Sequence, residues 1–276
     1  YNLLYAAKDA ADLMRTYKAV EQRPGVKGKV HLLDLTNHKA TKPEIRKAKD
    51  WLKQSKFNDL VIVFAAGHGM TDEMFDYYFG THDIDPIHPA TNGLPYEDFE
   101  NLLDGIPALQ KVLLLDTCFS GEIEKDQAIV VAQADTGGVR AGAVKMRSFR
   151  AARGVSVVAD SEGGQGDVAT APRLSDDMLK FQQDWFADLR RGTGAAVISS
   201  SSGNEYSLEG EQWKNGVFTY ALLTGLKQHT ADANKDQTVT VSELQAYVIE
   251  QVSRLTEGGQ NPTVRRENLE YDFIVY

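Results

Sequence analysis

Hydrophobic residues recur at helical and strand spacings along the first part of the chain. Residues 7–20 place Leu13, Tyr17 and Val20 on one face of a predicted helix, and the apolar segment 30–35 predicts a strand. A second helix is predicted after Thr41, which forms a capping-box pattern with the glutamate three residues later. These alternating periods favour an α/β architecture.

The same alternation continues through the centre of the chain. Two apolar runs predict buried strands at Leu60–Ala66 and at residues 112–115, with a short helix over 97–103 between them. Repeated strand, helix and strand order indicates a mainly parallel central sheet with helices on both faces.

The periodicity lapses after residue 121 and returns near residue 173. We therefore divide the chain into a large part (1–121), an irregular linker (122–172) and a small part (173–276). The linker is too long for an ordinary connection, which favours a functional or processed loop. The predicted elements of the small part are a helix from Ser175, a strand over 195–199, a serine-rich loop, helices over 218–227 and 243–255, and a closing strand over 271–276.

Two short motifs follow the predicted buried strands. His68 lies between two glycines directly after Leu60–Ala66, and Cys118 follows the strand at 112–115. Open α/β sheets form their sites at the carboxyl ends of strands. A thiolate is a nucleophile, and a nearby histidine can activate it and later protonate a leaving amine. Backbone N–H groups at 118–121 are candidates for an oxyanion hole.

Simpler interpretations exist for each residue alone. A single histidine is usually structural, and a single cysteine after an apolar strand is usually a small buried hydrophobic residue. Their joint placement at strand ends favours a nucleophile and base. A phosphatase of this kind would need an arginine six positions after Cys118 to bind the phosphate. That position is Glu124, which argues against a phosphatase.

Composition narrows the class of protein. Cys118 is the only cysteine among 276 residues, so no intrachain disulfide forms, which fits a reducing, cytoplasmic location. The net charge of −9 argues against nucleic acid as a partner and favours basic substrates. No apolar run reaches the roughly 18 residues of a membrane span, so we expect no membrane partner.

The segments 64–69 (FAAGHG) and 116–121 (DTCFSG) resemble the catalytic motifs of the caspase, metacaspase and bacterial orthocaspase family of cysteine peptidases. The likeness extends to residues 3–10 and 216–222. It implies a caspase-haemoglobinase-like fold and an endopeptidase whose chemistry requires no cofactor. His68 would be the base, Cys118 the nucleophile, and the backbone N–H groups of Gly69 and Cys118 the oxyanion donors.

The resemblance also implies a substrate pocket for the residue before the cleaved bond, the P1 residue. Asp116, Asp9 and Ser199 match positions lining this S1 pocket. Carboxylates there would hold arginine or lysine, so the expected partners are proteins and peptides with basic residues. The alternative for Asp9 is an acid at a helix start, stabilised by the helix dipole.

The family often cleaves its own linker on activation. A preference for basic residues would match five positions, whose alternative is a merely solvated loop: Arg140, Lys145, Arg147, Arg150 and Arg153. Family domains usually begin with a strand before the first helix, so further parts of a longer chain are expected. The alternative function is a catalytically silent caspase-like scaffold, or a module that binds calcium or partners.

Residues 232–243 follow the spacing of an EF-hand calcium loop. The candidate oxygen ligands are Asp232, Asn234, Asp236, Thr238, Thr240 and Glu243. The sixth position normally requires glycine for a sharp turn, and Gln237 stands there instead. The alternative is an acidic turn in which Ser242 caps the next helix.

Overall fold

A computed structural model gives the structure of this protein. It describes residues 3–23, 26, 28–72, 76–117, 144–146, 148–150, 194–202, 205–265 and 271–276, with backbone only for 144–146 and 148–150.

The described residues form helices and strands that follow one another in the predicted alternation. The helices are α1 (Ala6–Val20), α2 (Lys42–Leu52), α3 (Pro89–Asn92), α4 (Tyr96–Leu103), α5 (Val217–Lys227) and α6 (Val241–Leu255), with a 3-10 turn at Asn37–Lys39. The strands are β1 (Leu60–Ala66), β2 (Gly69–Thr71), β3 (Tyr77–Phe79), β4 (Leu94–Pro95), β5 (Gln110–Asp116), β6 (Val144–Met146), β7 (Ser148–Arg150), β8 (Ala196–Ser199), β9 (Leu208–Gly210), β10 (Asn215–Gly216) and β11 (Thr263–Arg265).

The central sheet has the strand order β1-β5-β8-β11. β1, β5 and β8 run parallel, whereas β11 pairs with β8 in the antiparallel direction. Parallel strands need helical crossovers, which explains why helices separate these strands in the sequence. The predicted mainly parallel sheet is confirmed.

Helices cover both faces of this sheet. Because side chains alternate along a strand, Leu114 of β5 packs with α1, α5 and α6, whereas Leu113 packs with α2 and α4. Both leucines are almost completely buried, at 0 % and 1 % exposure. β5 therefore contributes to both hydrophobic cores.

Two small sheets surround the carboxyl end of the central sheet. One has the order β4-β3-β2-β7, and the other has the order β10-β9-β6. β2 begins one residue after His68, so the chain turns from the central sheet into the small sheet at that histidine.

Two predicted strands are corrected by the structure. Residues 30–35 form no strand, because none of the described strands lies next to their backbone to pair with it. Residues 271–276 make only one isolated bridge, between Ile274 and Thr240. The strand that closes the central sheet is instead β11, which the hydrophobic pattern did not predict.

The predicted capping box at Thr41 is also wrong. Thr41 precedes α2, but its side chain makes no capping hydrogen bond. A complete capping box forms instead at α6, where Thr240 and Glu243 bind each other's backbone N–H groups. Thr240 thus caps α6, whereas the alternative interpretation of this loop assigned the cap to Ser242.

The linker 122–172 is not irregular throughout. β6 and β7 lie within it and pair with β9 and β2, respectively. The other linker residues and the helix predicted from Ser175 to residue 189 lie outside the described residues. In the part of the chain that the structure describes, no helix has the length and apolarity to cross a membrane.

Candidate active site

The two sequence motifs emerge from neighbouring parallel strands. Ala66 of β1 lies opposite Asp116 of β5, and the Gly67 N–H donates to the Asp116 carbonyl at 3.3 Å. His68 and Cys118 each lie two residues beyond this matched pair. Cys118 itself lies outside the described residues.

Close packing around Gly67 fixes the chain before His68. A Cβ atom at position 67 would approach the Phe79 ring to 2.7 Å, which real Cβ contacts do not reach. The Gly80 N–H donates to the His68 carbonyl at 2.8 Å, and the His68 side chain is partly buried. The first glycine of the motif is therefore required by the aromatic ring of β3.

Thr117, the residue before Cys118, is completely buried and bound on two sides. Its carbonyl accepts hydrogen bonds from the Ser200 and Ser207 hydroxyls, at 2.9 and 3.0 Å. Its own hydroxyl shares a 2.7 Å hydrogen bond with the Tyr77 hydroxyl. These contacts hold the end of β5 directly before Cys118.

Gln260 supports the serines that bind Thr117. Its side-chain N–H donates to the Ser200 carbonyl at 2.7 Å, and its carbonyl oxygen accepts the Leu208 N–H at 2.8 Å. The sequence predicted that the serine-rich run is a loop after a strand. It did not indicate a role for Ser207 or Gln260, which lie far from Thr117 along the chain.

Asp116 and Asp9 both bind the beginning of α5. The Thr219 hydroxyl donates to the Asp116 carboxylate at 2.6 Å. The Asp9 carboxylate accepts the Asn215 side-chain amide at 2.8 Å and the Gly216 N–H at 3.2 Å. Both aspartates are completely buried. The positive end of the helix dipole would stabilise a negative charge on either side chain.

Further acidic groups lie beside the start of α1. The Glu209 carboxylate, which is buried, accepts the N–H groups of Leu4 and Tyr5 at 2.9 and 3.3 Å. Burial, the hydrogen bond with Glu211 and the charges of Glu211 and Glu209 together raise the pKa of Tyr5 to about 12, and burial is the largest cause. Glu209 and Glu211 therefore place acidic groups beside the start of α1.

Asp12 of α1 is the acid in this region with a lowered pKa. Its carboxylate lies 2.5 Å from the Lys8 ammonium and 3.1 Å from the Asn215 amide, and it also binds Arg15. Burial acts to raise the pKa of Asp12, but the hydrogen bonds and positive charges outweigh it and lower the pKa overall.

A caspase-domain family profile matches residues 2–274, nearly the whole chain. The protein belongs to the caspase-domain peptidase family. Its structure is similar to that of protein GSU0716 from Geobacter sulfurreducens, with a TM-score of 0.52 and 15% sequence identity over 97% of this chain and 86% of that one. At 15% identity, this similarity shows only that the two proteins share a fold. No curated protein matches the sequence significantly.

Two further predicted site residues of the caspase domain lie in strands at the same end of the sheet. Ser199 ends β8 beside Leu115, and its buried hydroxyl points to the Ser201 carbonyl at 3.5 Å. Gly69 begins β2, which pairs with β3 and β7. Their roles in the S1 pocket and the oxyanion hole stay predictions.

The predicted processing sites divide into two groups. Lys145 and Arg150 lie within β6 and β7, so cleavage after either would require release of a strand ladder. The positions outside the described residues are Arg140, Arg147 and Arg153.

The candidate calcium loop of the caspase domain is held by its own side chains. Asp232 accepts the N–H groups of Asp236 and Gln237, at 3.1 and 2.8 Å, and Glu243 accepts those of Ala233 and Asn234. Gln237 adopts the left-handed backbone that the sixth position requires, with φ of 72°. Among the described residues, no group of three or more His, Cys, Asp or Glu is placed to hold a metal.

Proposed function

We propose that this caspase domain is a cysteine endopeptidase that cleaves after arginine or lysine, with Cys118 as nucleophile and His68 as base. The observation that carries the proposal is the matched ends of β1 and β5, which start both motifs from neighbouring positions of one sheet edge. Intact motifs on the expected strands weigh against a silent scaffold.

The chemistry follows from these two groups. His68 takes the Cys118 proton, and the thiolate attacks the carbonyl carbon of the substrate peptide bond. The imidazolium then protonates the leaving amine as the C–N bond breaks, which leaves an acyl-enzyme. His68 next removes a proton from water, the resulting hydroxide attacks the thioester, and the carboxylic acid product leaves Cys118.

Electrostatics supports the preference for a basic P1 residue. The buried carboxylates of Asp9 and Asp116 share one helix start, and Glu209 adds negative potential nearby. A guanidinium or ammonium entering this region would be attracted, whereas a substrate aspartate would be repelled.

The test is hydrolysis of peptidyl-aminomethylcoumarin substrates that differ only at P1. We expect turnover with arginine and lysine, little with aspartate, and loss of at least ~10³-fold in kcat/KM for Cys118→Ala. Asp116→Asn keeps the size of the side chain and removes its charge, so its selectivity for arginine over a neutral P1 residue should fall.

Two results would decide against the proposal. Wild-type turnover equal to that of Cys118→Ala would favour the scaffold, and a preference for aspartate at P1 would remove the argument from the acidic pocket. Asp50→Asn on α2 is the charge control, since Asp50 is exposed and pairs only with the neighbouring Lys53 among the described residues.

Self-cleavage in 122–172 is the regulatory part of the proposal. Intact-mass measurements on wild type and Cys118→Ala should show fragments ending in Arg or Lys only in the wild type. Fragments ending at Lys145 or Arg150 should form more slowly than the others because those residues belong to strand ladders. Identical masses for both proteins would argue for a merely solvated loop.

Calcium binding to residues 232–243 is a separate proposal. The left-handed Gln237 shows that the loop makes its turn without glycine, although a side chain there costs about 1 kcal/mol. Calorimetry with calcium chloride should give heat in the wild type and tighter binding in Gln237→Gly. No heat at millimolar calcium in either protein would exclude binding.

A further inference from the structure

The short strand β3 contacts the chain on both sides of His68. The ring of Phe79, the last residue of β3, packs against Gly67. Gly80, the next residue, donates its N–H to the His68 carbonyl at 2.8 Å. β3 also pairs with β2, which begins at the residue after His68. The backbone before, at and after the candidate base is therefore held by contacts with β3.

The first residue of β3 reaches the other motif. The Tyr77 hydroxyl shares a hydrogen bond of 2.7 Å with the hydroxyl of Thr117, the residue that precedes Cys118. Tyr77 is 4 % exposed and Thr117 is completely buried, so water does not compete for this hydrogen bond. Tyr77 and Phe79 lie two positions apart and share one face of the strand. β3 thus contacts the histidine segment at one end and the residue before the cysteine at the other.

Four aromatic rings hold this strand on α4. The Tyr77 ring meets the Tyr96 ring edge to face, with centroids 6.5 Å apart, and the Phe79 ring meets the Phe99 ring in the same way at 5.5 Å. Tyr96 and Phe99 also contact each other, with centroids 6.5 Å apart. All four side chains are buried. Close packing of this kind restricts ring movement, so a rigid support presents the Tyr77 hydroxyl to Thr117.

Building on the proposed peptidase function, we propose that Tyr77 is a positioning residue that sets the distance between His68 and Cys118 by holding Thr117. The ladder between β1 and β5 ends two residues before each of the two reacting groups. Beyond that point, the hydrogen bond between Tyr77 and Thr117 connects the end of β5 with the strand that holds the histidine segment. A small displacement of two reacting groups lowers the rate of proton transfer and attack between them.

The first measurement is the rate at which iodoacetamide alkylates Cys118, followed by intact mass near neutral pH. Cys118 is the only cysteine, so the increase in mass reports this residue alone. A nearby histidine favours the reactive thiolate, so we expect Tyr77→Phe to slow alkylation by about 5-fold or more, towards the rate of His68→Ala. Tyr78→Phe is the matched control on the same strand, because the Tyr78 hydroxyl donates to Asp72 instead, and it should react at the wild-type rate.

The second measurement is the hydrolysis of a peptide substrate with arginine at P1. Tyr77→Phe should lower kcat by about 10-fold with little change in KM, because substrate binding does not require the two reacting groups to be aligned. Thr117→Val should give a similar loss, and the double variant should lose no more than either single variant, since both changes break the same hydrogen bond. Thr117→Ser keeps a hydroxyl and should recover most of the kcat that Thr117→Val loses.

Three results would overturn the proposed role of Tyr77. They are wild-type alkylation and kcat in Tyr77→Phe, losses that add up in the double variant, and an equal loss in Tyr78→Phe, which would indicate a general weakening of β3. If the wild type hydrolyses no peptide, the proposed peptidase function fails, and the alkylation rates alone decide the role of Tyr77.

Discussion

Thr219 of α5 forms a hydrogen bond with Asp116, the last residue of β5. Its hydroxyl binds the Asp116 carboxylate, and both residues are completely buried. A buried carboxylate is costly unless donors satisfy its oxygens, so this hydroxyl would stabilise a negative charge on Asp116, two residues before Cys118.

Replacing Thr219 tests this role. Thr219→Val keeps the shape and removes the donor, so we expect kcat/KM for arginine substrates to fall by about 10-fold or more, since a hydrogen bond to a charged group contributes ~1.5–3 kcal/mol. Thr219→Ser should retain most activity. Thr224→Val is the control, because among the described residues its hydroxyl bonds only the Tyr220 carbonyl, within the same helix. Equal activity in both valine variants would contradict the role.

The lowered pKa of Asp12 makes its contribution to protein stability depend on pH. Its pKa in the folded protein lies below the ordinary value of 3.8, so its contribution to stability is present above that value and is lost as the pH falls through the folded pKa. We expect Asp12→Asn to lower the free energy of unfolding at pH 7 by about 1–2 kcal/mol. In urea titrations this difference should shrink as the pH is lowered below 3.8. A difference that stays constant with pH would contradict the assignment.

At the scale of elements, the ends of β5 and β8 are joined by hydroxyl groups. Ser200 and Ser207 both donate to the Thr117 carbonyl, and their hydroxyls also contact each other. The buried carbonyl of the residue before Cys118 is thus fixed by the segments that follow β8.

Removing both hydroxyls should disturb the nucleophile more than substrate binding. We expect Ser200→Ala with Ser207→Ala to lower kcat with little change in KM, and to cost about 1–3 kcal/mol of stability because a buried acceptor loses its donors. Ser242→Ala is the comparison, since that partly exposed serine at the start of α6 donates its hydroxyl to Asp272, away from Thr117. An increase in KM alone would show that the serines act on substrate binding instead.

Thr240 and Thr41, which precede α6 and α2, allow a prediction about how much capping stabilises each helix. Thr240→Ala should cost about 0.5–2 kcal/mol because it breaks the α6 capping box. Thr41→Ala should cost less, since Thr41 makes no capping hydrogen bond at α2. Thermal unfolding of both variants would check the order, and a larger loss for Thr41→Ala would contradict it.

At the scale of the molecule, β5 joins two cores that lie on opposite faces of one sheet. Leu114 belongs to the core with α5 and α6, and Leu113 belongs to the core with α2 and α4. A single strand shared by both cores is expected to couple their unfolding.

We therefore expect Leu113→Ala and Leu114→Ala each to cost about 2–5 kcal/mol and to shift one common transition. Leu109→Ala, at a position 48 % exposed, should cost less than about 0.5 kcal/mol. Circular dichroism and tryptophan fluorescence should give coincident unfolding curves. Two separated transitions would show that the cores unfold independently.

The local hydrophobic pattern was sufficient to predict the helices and strands that are long, periodic or apolar. The helical faces of α1, α5 and α6 and the buried strands β1, β5 and β8 all lie within a few residues of their predicted positions. Short strands were missed, because three residues such as Thr263–Arg265 carry too little periodicity to be recognised.

The sequence by itself determined the alternation of helices and strands, the glycine-flanked histidine and the single cysteine after a buried strand. These are local properties, set by side-chain period and residue type. Only the tertiary structure decided that residues 263–265 form the strand beside β8, that Thr219 and Asn215 bind the buried aspartates, and that Ser207 reaches the Thr117 carbonyl. Those contacts join residues about 100 or more positions apart in several cases, and no local pattern encodes such pairings because they depend on how whole elements pack.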